Sequence, residues 1–254
     1  MTTADRWTQA VREQLGLGRF LPLGGPRDGA WIAERAAREV LLGAVRDVAG
    51  VRVDGLRIAL ADPREAHDPV VPPPPSALAP GSLRMTAEVA ATMSEPLPST
   101  TARLRIALAG AASARLGLTV TDVDLRVTTL LDSEPTPAGR PEPGHAPERG
   151  DRGTGHDGDT GHDDMGHDGE GDAGRAAGAA LAVPGVTRLT GALGRAVTIE
   201  ERSDGTALPH RHVRLECAVG RDHRAVEVAR RVRTAVRDAL PDHPSVAVLV
   251  TAVD

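Results

Sequence analysis

Leu83, Met85, Ala87, Val89, Ala91 and Met93 alternate with Arg84, Thr86 and Glu88, the period-2 signature of a strand with one buried face. Pro96 and Pro98 end that run. Ser99 or Thr100 then stands where it can cap a helix over 101–116, with Leu104, Leu108 and Ala111 or Ala112 as its buried stripe and Gly117 as its stop. Val123, Leu125, Val127 and Thr129 predict the strand that follows. Upstream, Ile32, Ala36, Val40, Ala44 and Val48 predict a helix from about Ala30 to Asp47, closed by Gly50. Val51, Val53, Ile58 and Leu60 predict a strand interrupted near Asp54-Gly55. The stretch 62–82 contains Val70-Val71 followed by four prolines. Consecutive prolines lack amide donors and favour an extended, solvated chain, so this is a loop. Ahead of all this, Trp7, Val11 and Leu15 at i, i+4, i+8 predict a short helix, and Phe20 to Gly29 reads as a Gly/Pro loop.

The order helix, strand, strand, helix, strand then recurs. Residues 175–183 read as a short helix and 196–201 as a strand. Val213, Leu215, Cys217 and Val219 alternate as a second strand. A helix over 223–240 carries Ala225, Ala229, Val232, Val236 and Leu240 on one face, and 245–253 is a closing strand, apolar on both faces and so central. Local segments align as well: Val48-Ala49-Gly50-Val51 with Val183-Pro184-Gly185-Val186, and 123–128 with 246–251. The predicted class is therefore α+β, with two tandem units, 30–132 and 175–254. An N-terminal helix and loop (1–29) precedes them and a disordered linker (133–174) joins them. Two copies are too few for a solenoid, leaving two small domains or one pseudo-symmetric pair.

Composition changes the picture in two places. The three aromatic residues, Trp7, Phe20 and Trp31, all lie near the start, so everything downstream must pack with aliphatic side chains. The net charge of −5 hides an uneven distribution: residues 139–174 hold ten acidic side chains against three arginines, and the rest of the chain is close to neutral. Neither part has the footprint of a general nucleic-acid binder. A single cysteine, Cys217, excludes an internal disulfide and a cysteine-based zinc cage, and its alternation with Leu215 and Val219 places it in the core as an inert thiol. The N-terminus lacks a basic segment followed by an apolar run, and no stretch reaches the roughly 18 apolar residues of a membrane span. The expectation is a cytoplasmic protein, with no direct membrane insertion, that meets a membrane only through a partner.

Candidate chemistry is sparse. Gly-His-Asp occurs three times, at 155–157, 161–163 and 166–168, and with His145 this gathers imidazoles among carboxylates that suit transition metals. His156, His162 and His167 are the candidate ligands. A flexible segment must lose conformational entropy to form a site, so the plain reading is a solvated acidic tether and the alternative a low-affinity metal reservoir. An EF-hand reading fails, because counting from Asp157 puts His162 where glycine is required and Asp168 where glutamate is required. His210 and His212 would share one strand face, with His223 or Asp222 as the nearest third ligand in the sequence. Arg230, Arg233 and Arg237 lie on one helical face at i, i+3, i+7 and are candidate interaction residues. No aromatic interleaves with them to stack bases, which argues against nucleic acid and for a solvated face, internal ion pairs or a protein contact. No nucleophile elbow, phosphate loop or paired titratable groups stand out, so neither catalytic residues nor a cofactor are expected.

The hydrophobic pattern resembles the alkaline-shock/Gls-type family of envelope stress response proteins: a helix ending in Val-x-Gly-Val, two strands, a V-A-x-x-V-x-x-A-V helix and a V-x-V-x-V strand. The second unit carries it through Val183 to Val186, Val228 to Val236 and Val246 to Val250; the first does so more loosely, through Val48 to Val51, 103–118 and 123–127. Two units, the proline loop and the His-rich linker depart from the family. The opening block, Trp7 to Ala33, also resembles uncharacterised actinobacterial proteins, some carrying a nucleopolyhedrovirus fibrous-body family name. The sustained heptads that fibrous bodies need are not present here. The alkaline-shock resemblance implies a non-enzymatic envelope-associated scaffold, recruited by a membrane-anchored protein partner. The expected function is such a scaffold or adaptor, with sheet edges or helix faces mediating self-association.

Overall fold

A computed structural model describes residues 16–133, 167–202 and 210–254. The predicted helix around Trp7 and Val11, and most of the segment joining the two units, lie outside them. The described chain is α+β. The first unit runs α1 (Glu34–Val45), β3 (Val51–Leu60), β4 (Leu83–Thr92), α2 (Leu97–Ala111) and β5 (Val120–Leu131), preceded by β1 (Phe20–Pro22) and β2 (Ala30–Ala33). The second runs α3 (His167–Leu181), β6 (Val186–Leu189), β7 (Val197–Arg202), β8 (His210–Val219), α4 (Ala225–Ala239) and β9 (Ser245–Val253).

The strands form two sheets. One has the order β3-β4-β5; the other has β1-β2-β9-β8-β6, with β7 also on β8. In each unit a hairpin-like antiparallel pair leads through a crossover helix to a parallel strand: β3/β4 then β5, and β6 and β7/β8 then β9. The duplication read from sequence extends to hydrogen-bond detail. Gly50 and Gly185 both adopt a left-handed backbone (φ 74° and 100°). Each carbonyl accepts the amide of the residue just after the second strand's apolar run, Thr92 and Gly220, both at 2.9 Å. Val51 pairs with Ala91 as Val186 pairs with Val219, and the parallel pairs slip register at Val89/Ala90 and at Cys217/Ala218.

Several expectations are corrected. Ala30–Ala33 is a strand, not the first turn of a helix: Trp31 and Ile32 pair in parallel with Leu249 and Val250, and all four residues of β2 are buried. The helix stripe shifts accordingly to Ala36, Ala37, Leu41 and Val45. Within the expected loop, Phe20–Pro22 pairs antiparallel with β2. Residues 20–29, placed outside the repeat by sequence, and 30–33, assigned to the first unit, thus complete the second unit's sheet. The helix expected from Arg175 begins at His167, inside the segment assigned to the linker. Asp172 holds that early turn, accepting hydrogen bonds from Arg175 and from Arg211 Nη2 (2.5 Å). The single strand expected at 196–201 is preceded by β6, so the antiparallel partner of β8 comes in two pieces. α2 opens at Leu97, four residues early, with Pro98 in its first turn, where a missing amide costs nothing.

The interruption expected near Asp54-Gly55 is a register shift between Val53 and Gly55 within one continuous strand. Apart from a 3-10 turn at Pro63–Glu65, the stretch 62–82 is irregular. It is nonetheless anchored: Val71 is buried, Leu78 N–H donates to Phe20 O (2.8 Å), and Trp31 Nε1–H donates to Leu78 O (3.3 Å). A continuous core runs through both units, so the pseudo-symmetric pair is packed together.

Candidate functional site

The three candidate arginines on α4, Arg230, Arg233 and Arg237, make internal contacts. Arg230 grips Asp28 in the β1–β2 loop through Nε and Nη2, both 2.9 Å, and reaches Glu227 with Nη1 (2.9 Å). Arg233 donates to the carbonyl of Arg27 (2.6 Å), and Arg237 to its neighbour Asp238 (3.1 Å). Burial alone would raise the Asp28 carboxyl, but hydrogen bonds from Arg230 and the Gly25 amide hold it below the usual range. Arg230 and Arg233 therefore clamp the N-terminal loop onto the second unit. Glycines make the close approach possible: a Cβ at Gly24 would meet Asp28 Oδ2 at 2.1 Å, and one at Gly29 would meet Val71 at 2.9 Å.

Of the candidate metal ligands, His156 and His162 lie outside the described residues, and His167 opens α3. His212 was expected on an exposed face with His210. It is 4% exposed, its Nδ1 is 2.8 Å from Ser245 Oγ, and burial pushes its pKa down to about 4. His223 sits beyond the far end of β8, next to Asp222 (3.0 Å). Among the described residues no three His, Cys, Asp or Glu side chains gather closely enough to hold a metal ion. Cys217 is fully buried, and burial among aliphatics, with Glu216 beside it, pushes its thiol up to about 12.

Glu216 is the polar residue that sequence reasoning missed. Alternation on β8 placed it on a solvated face, yet it is 0% exposed. The β6–β7 turn covers it: Oε2 accepts from Leu193 N–H (3.0 Å), its amide donates to Ala196 O (2.8 Å), and its carbonyl accepts from Thr190 N–H (3.0 Å). Its Oε1 has no partner, and burial raises its pKa. The only signal in the sequence was the unbroken apolar run Cys217-Ala218-Val219 after it, which marks a strand covered on both sides.

Two concave regions and one long strand edge stand out among the described residues. A groove of about 470 Å³ between α3 and α4 is floored by Ala179, Ala182 and Val183 and edged by Arg230, Arg231 and Thr234. A cleft of about 310 Å³ at the start of β8 and β9 is lined by Glu201, His210, Arg211, Asp242 and His243. The edge is β5. On the side away from β4 it pairs with no strand among the described residues, and Val123, Leu125 and Val127 are half-buried. Of the five large apolar side chains most exposed among the described residues, four belong to this unit: Val70 (53%) in its proline loop, Met93 (64%), Ile106 (73%) and Leu130 (55%) on β5 itself.

The β5 edge thus combines unpaired backbone with half-buried apolar side chains. No family model matches this chain, and no curated protein or solved structure is significantly similar to it. Among the described residues no helix is long and apolar enough to cross a membrane.

Proposed function

We propose that this protein is a non-enzymatic scaffold or adaptor of an envelope-associated assembly, held at the cytoplasmic side of the membrane by an anchored protein partner. The observation that carries the reading is the β5 edge. A 12-residue strand with an open hydrogen-bonding side and exposed apolar neighbours is a costly feature for a chain that works alone. The hydrophobic pattern of the second unit, through its resemblance to the alkaline-shock/Gls-type family, supports the envelope part of the proposal. Affinity capture from native cells, with the full chain and with a chain lacking 139–166, which leaves α3 whole, tests it. Recovery of the same membrane-anchored protein by both supports the adaptor.

The alternative is low-affinity transition-metal binding through His156, His162 and His167. The threefold recurrence of Gly-His-Asp in the sequence is what favours it. A full-length chain that arrives loaded with metal, with no such partner, would replace the first reading with this one.

A further inference from the structure

The two units differ at one equivalent edge. In the second unit the outer side of β9 is taken by β2; in the first, the outer side of the matching strand β5 is open. The other edge of the first sheet is blunted. β3 carries the bulge between Val53 and Gly55, and Arg19 Nη2 covers the Ile58 carbonyl (2.5 Å). On β5 the register slips fall at Leu83/Arg84 and Val89/Ala90 of its partner, so the stretch from Asp122 to Val127 between them is regular. Val123 O accepts from Arg105 Nε of α2 (3.0 Å), which sets that carbonyl on the outer side with one lone pair still unused. Alternation along the strand puts the backbone groups of Leu125 and Val127 on the same side.

We infer that β5 pairs antiparallel with β5 of a second copy of this chain, about a twofold axis at Leu125. This deepens the scaffold reading, on which it rests, by naming one partner. The residues are self-complementary in that register. Val123 of one copy faces Val127 of the other, Leu125 faces Leu125, and on the polar face Asp124 meets Arg126 twice. Centring the pair on Asp124 instead sets two aspartates against each other, and centring it on Arg126 sets two arginines together. The Leu125 register is the one of these three without a like-charge pair. Within one copy, Asp124 is 3.6 Å from Arg84 and its side chain is 63% exposed, and Arg126 is also exposed, so both are accessible to a second strand. The product is an isologous dimer whose two three-stranded sheets become one of six.

The test is sedimentation of the full chain over a range of concentrations, with circular dichroism to verify folding. Wild-type protein should dimerise. Asp124→Arg and Arg126→Asp each turn two attractive pairs into two repulsive ones and should weaken the dimer about tenfold. Combining both restores complementarity and should return the affinity to near wild type. A wild-type monomer at all concentrations overturns the inference, as does a dimer indifferent to the single changes, or a double variant as weak as the singles. A monomer that dimerises only when 139–166 is removed also overturns it, since that segment would then be what covers β5. A monomer that still captures the membrane-anchored partner sinks the self-pairing alone. A dimer that captures none sinks the adaptor alone.

Discussion

Strand β9 and strand β5 occupy the same place in the two units, yet β9 is buried at six consecutive positions, Val246 to Thr251, and β5 has no fully buried residue. The frame around them is shared: the left-handed glycine, the antiparallel pair, the crossover helix and the register slip. What differs is the neighbour. β2 takes the outer edge of β9, the β6–β7 turn folds over Glu216 of β8, and residues pointing to both faces of β9 are buried. The same position in the two units shows the consequence. Glu88, one residue before the slip in β4, is exposed, whereas Glu216, one residue before the slip in β8, is fully buried. Duplication supplied the frame, and material from outside the repeat decided which copy became a closed core.

The largest expected effect concerns His212, whose counterpart in the first unit is the exposed Arg84. Its folded pKa, about 4, lies below the unfolded value of about 6.5. The unfolded chain therefore binds the proton first. Stability from this group is complete above pH 6.5 and is lost as pH falls toward 4, by on the order of 3 kcal/mol. Urea unfolding from pH 7.5 to 4.5 should show this acid limb, and His212→Leu should flatten it. Glu216, whose carboxyl pKa is raised by burial, acts in the opposite sense, adding stability as pH falls through its raised folded value, so the difference between variant and wild type is the diagnostic quantity. An unchanged slope would mean that His212 is solvated, and that the second sheet is less closed than β8 indicates.

The contrast between β9 and β5 has its own pair of substitutions. Val248 and Leu125 are equivalent, pairing with Leu215 and Ala87 respectively. Val248→Ala should cost about 2–3 kcal/mol, because Val248 is fully buried. Leu125→Ala removes more atoms, but from a half-buried edge, and should cost about 1 kcal/mol at protein concentrations low enough to keep the chain monomeric. Denaturant midpoints measure both, and equal losses would break the comparison. Gly50→Ala and Gly185→Ala sharpen it from the other side. Each glycine has positive φ, and an added Cβ would meet Thr92 Oγ1 at 2.6 Å or Val228 Cγ2 at 2.7 Å. Both should lose about 2 kcal/mol, since this part of the frame is common to the two units.

Much of this frame was legible in the sequence because period and punctuation agreed. β4, α4 and β9 follow from alternation or helical spacing bounded by Gly and Pro, and the Asp54-Gly55 interruption announced its own bulge. The misses share a physical cause. Ala30-Trp31-Ile32-Ala33 is too short and too uniformly apolar to show a period, and its helix-like continuation into Glu34–Val45 masked it. Glu216 and His212 look solvated under alternation, a rule that holds only while one face of the sheet stays open. The residues from 167 to 174 are rich in Gly and Asp, and the charge contact that makes their turn helical comes from Arg211, far away in the chain. At the interaction surface the sequence singled out the conspicuous arginines, whereas the open edge is a property of sheet order and has no local signal.

The smallest effect separates an ion pair that joins regions from one that does not. Arg103 and Glu95 in the first unit lie 2.8 Å apart, eight residues apart in sequence, and both are about half exposed (47% and 48%). Arg103→Ala should change stability by no more than about 0.5 kcal/mol. Arg230 and Asp28 are 202 residues apart, and the Asp28 side chain is only 18% exposed. Asp28→Asn removes the charge from a bidentate contact that ties the β1–β2 loop to α4, and should cost about 1 kcal/mol at pH 7. The pH dependence identifies the source. Because the folded Asp28 carboxyl lies below its unfolded value, its contribution is present above about pH 4 and disappears as pH falls through the folded value. Wild type and Asp28→Asn should therefore converge in acid and diverge by neutrality. If instead the difference persists unchanged at pH 2–3, the asparagine has disturbed the loop's packing, and the clamp holds by shape more than by charge.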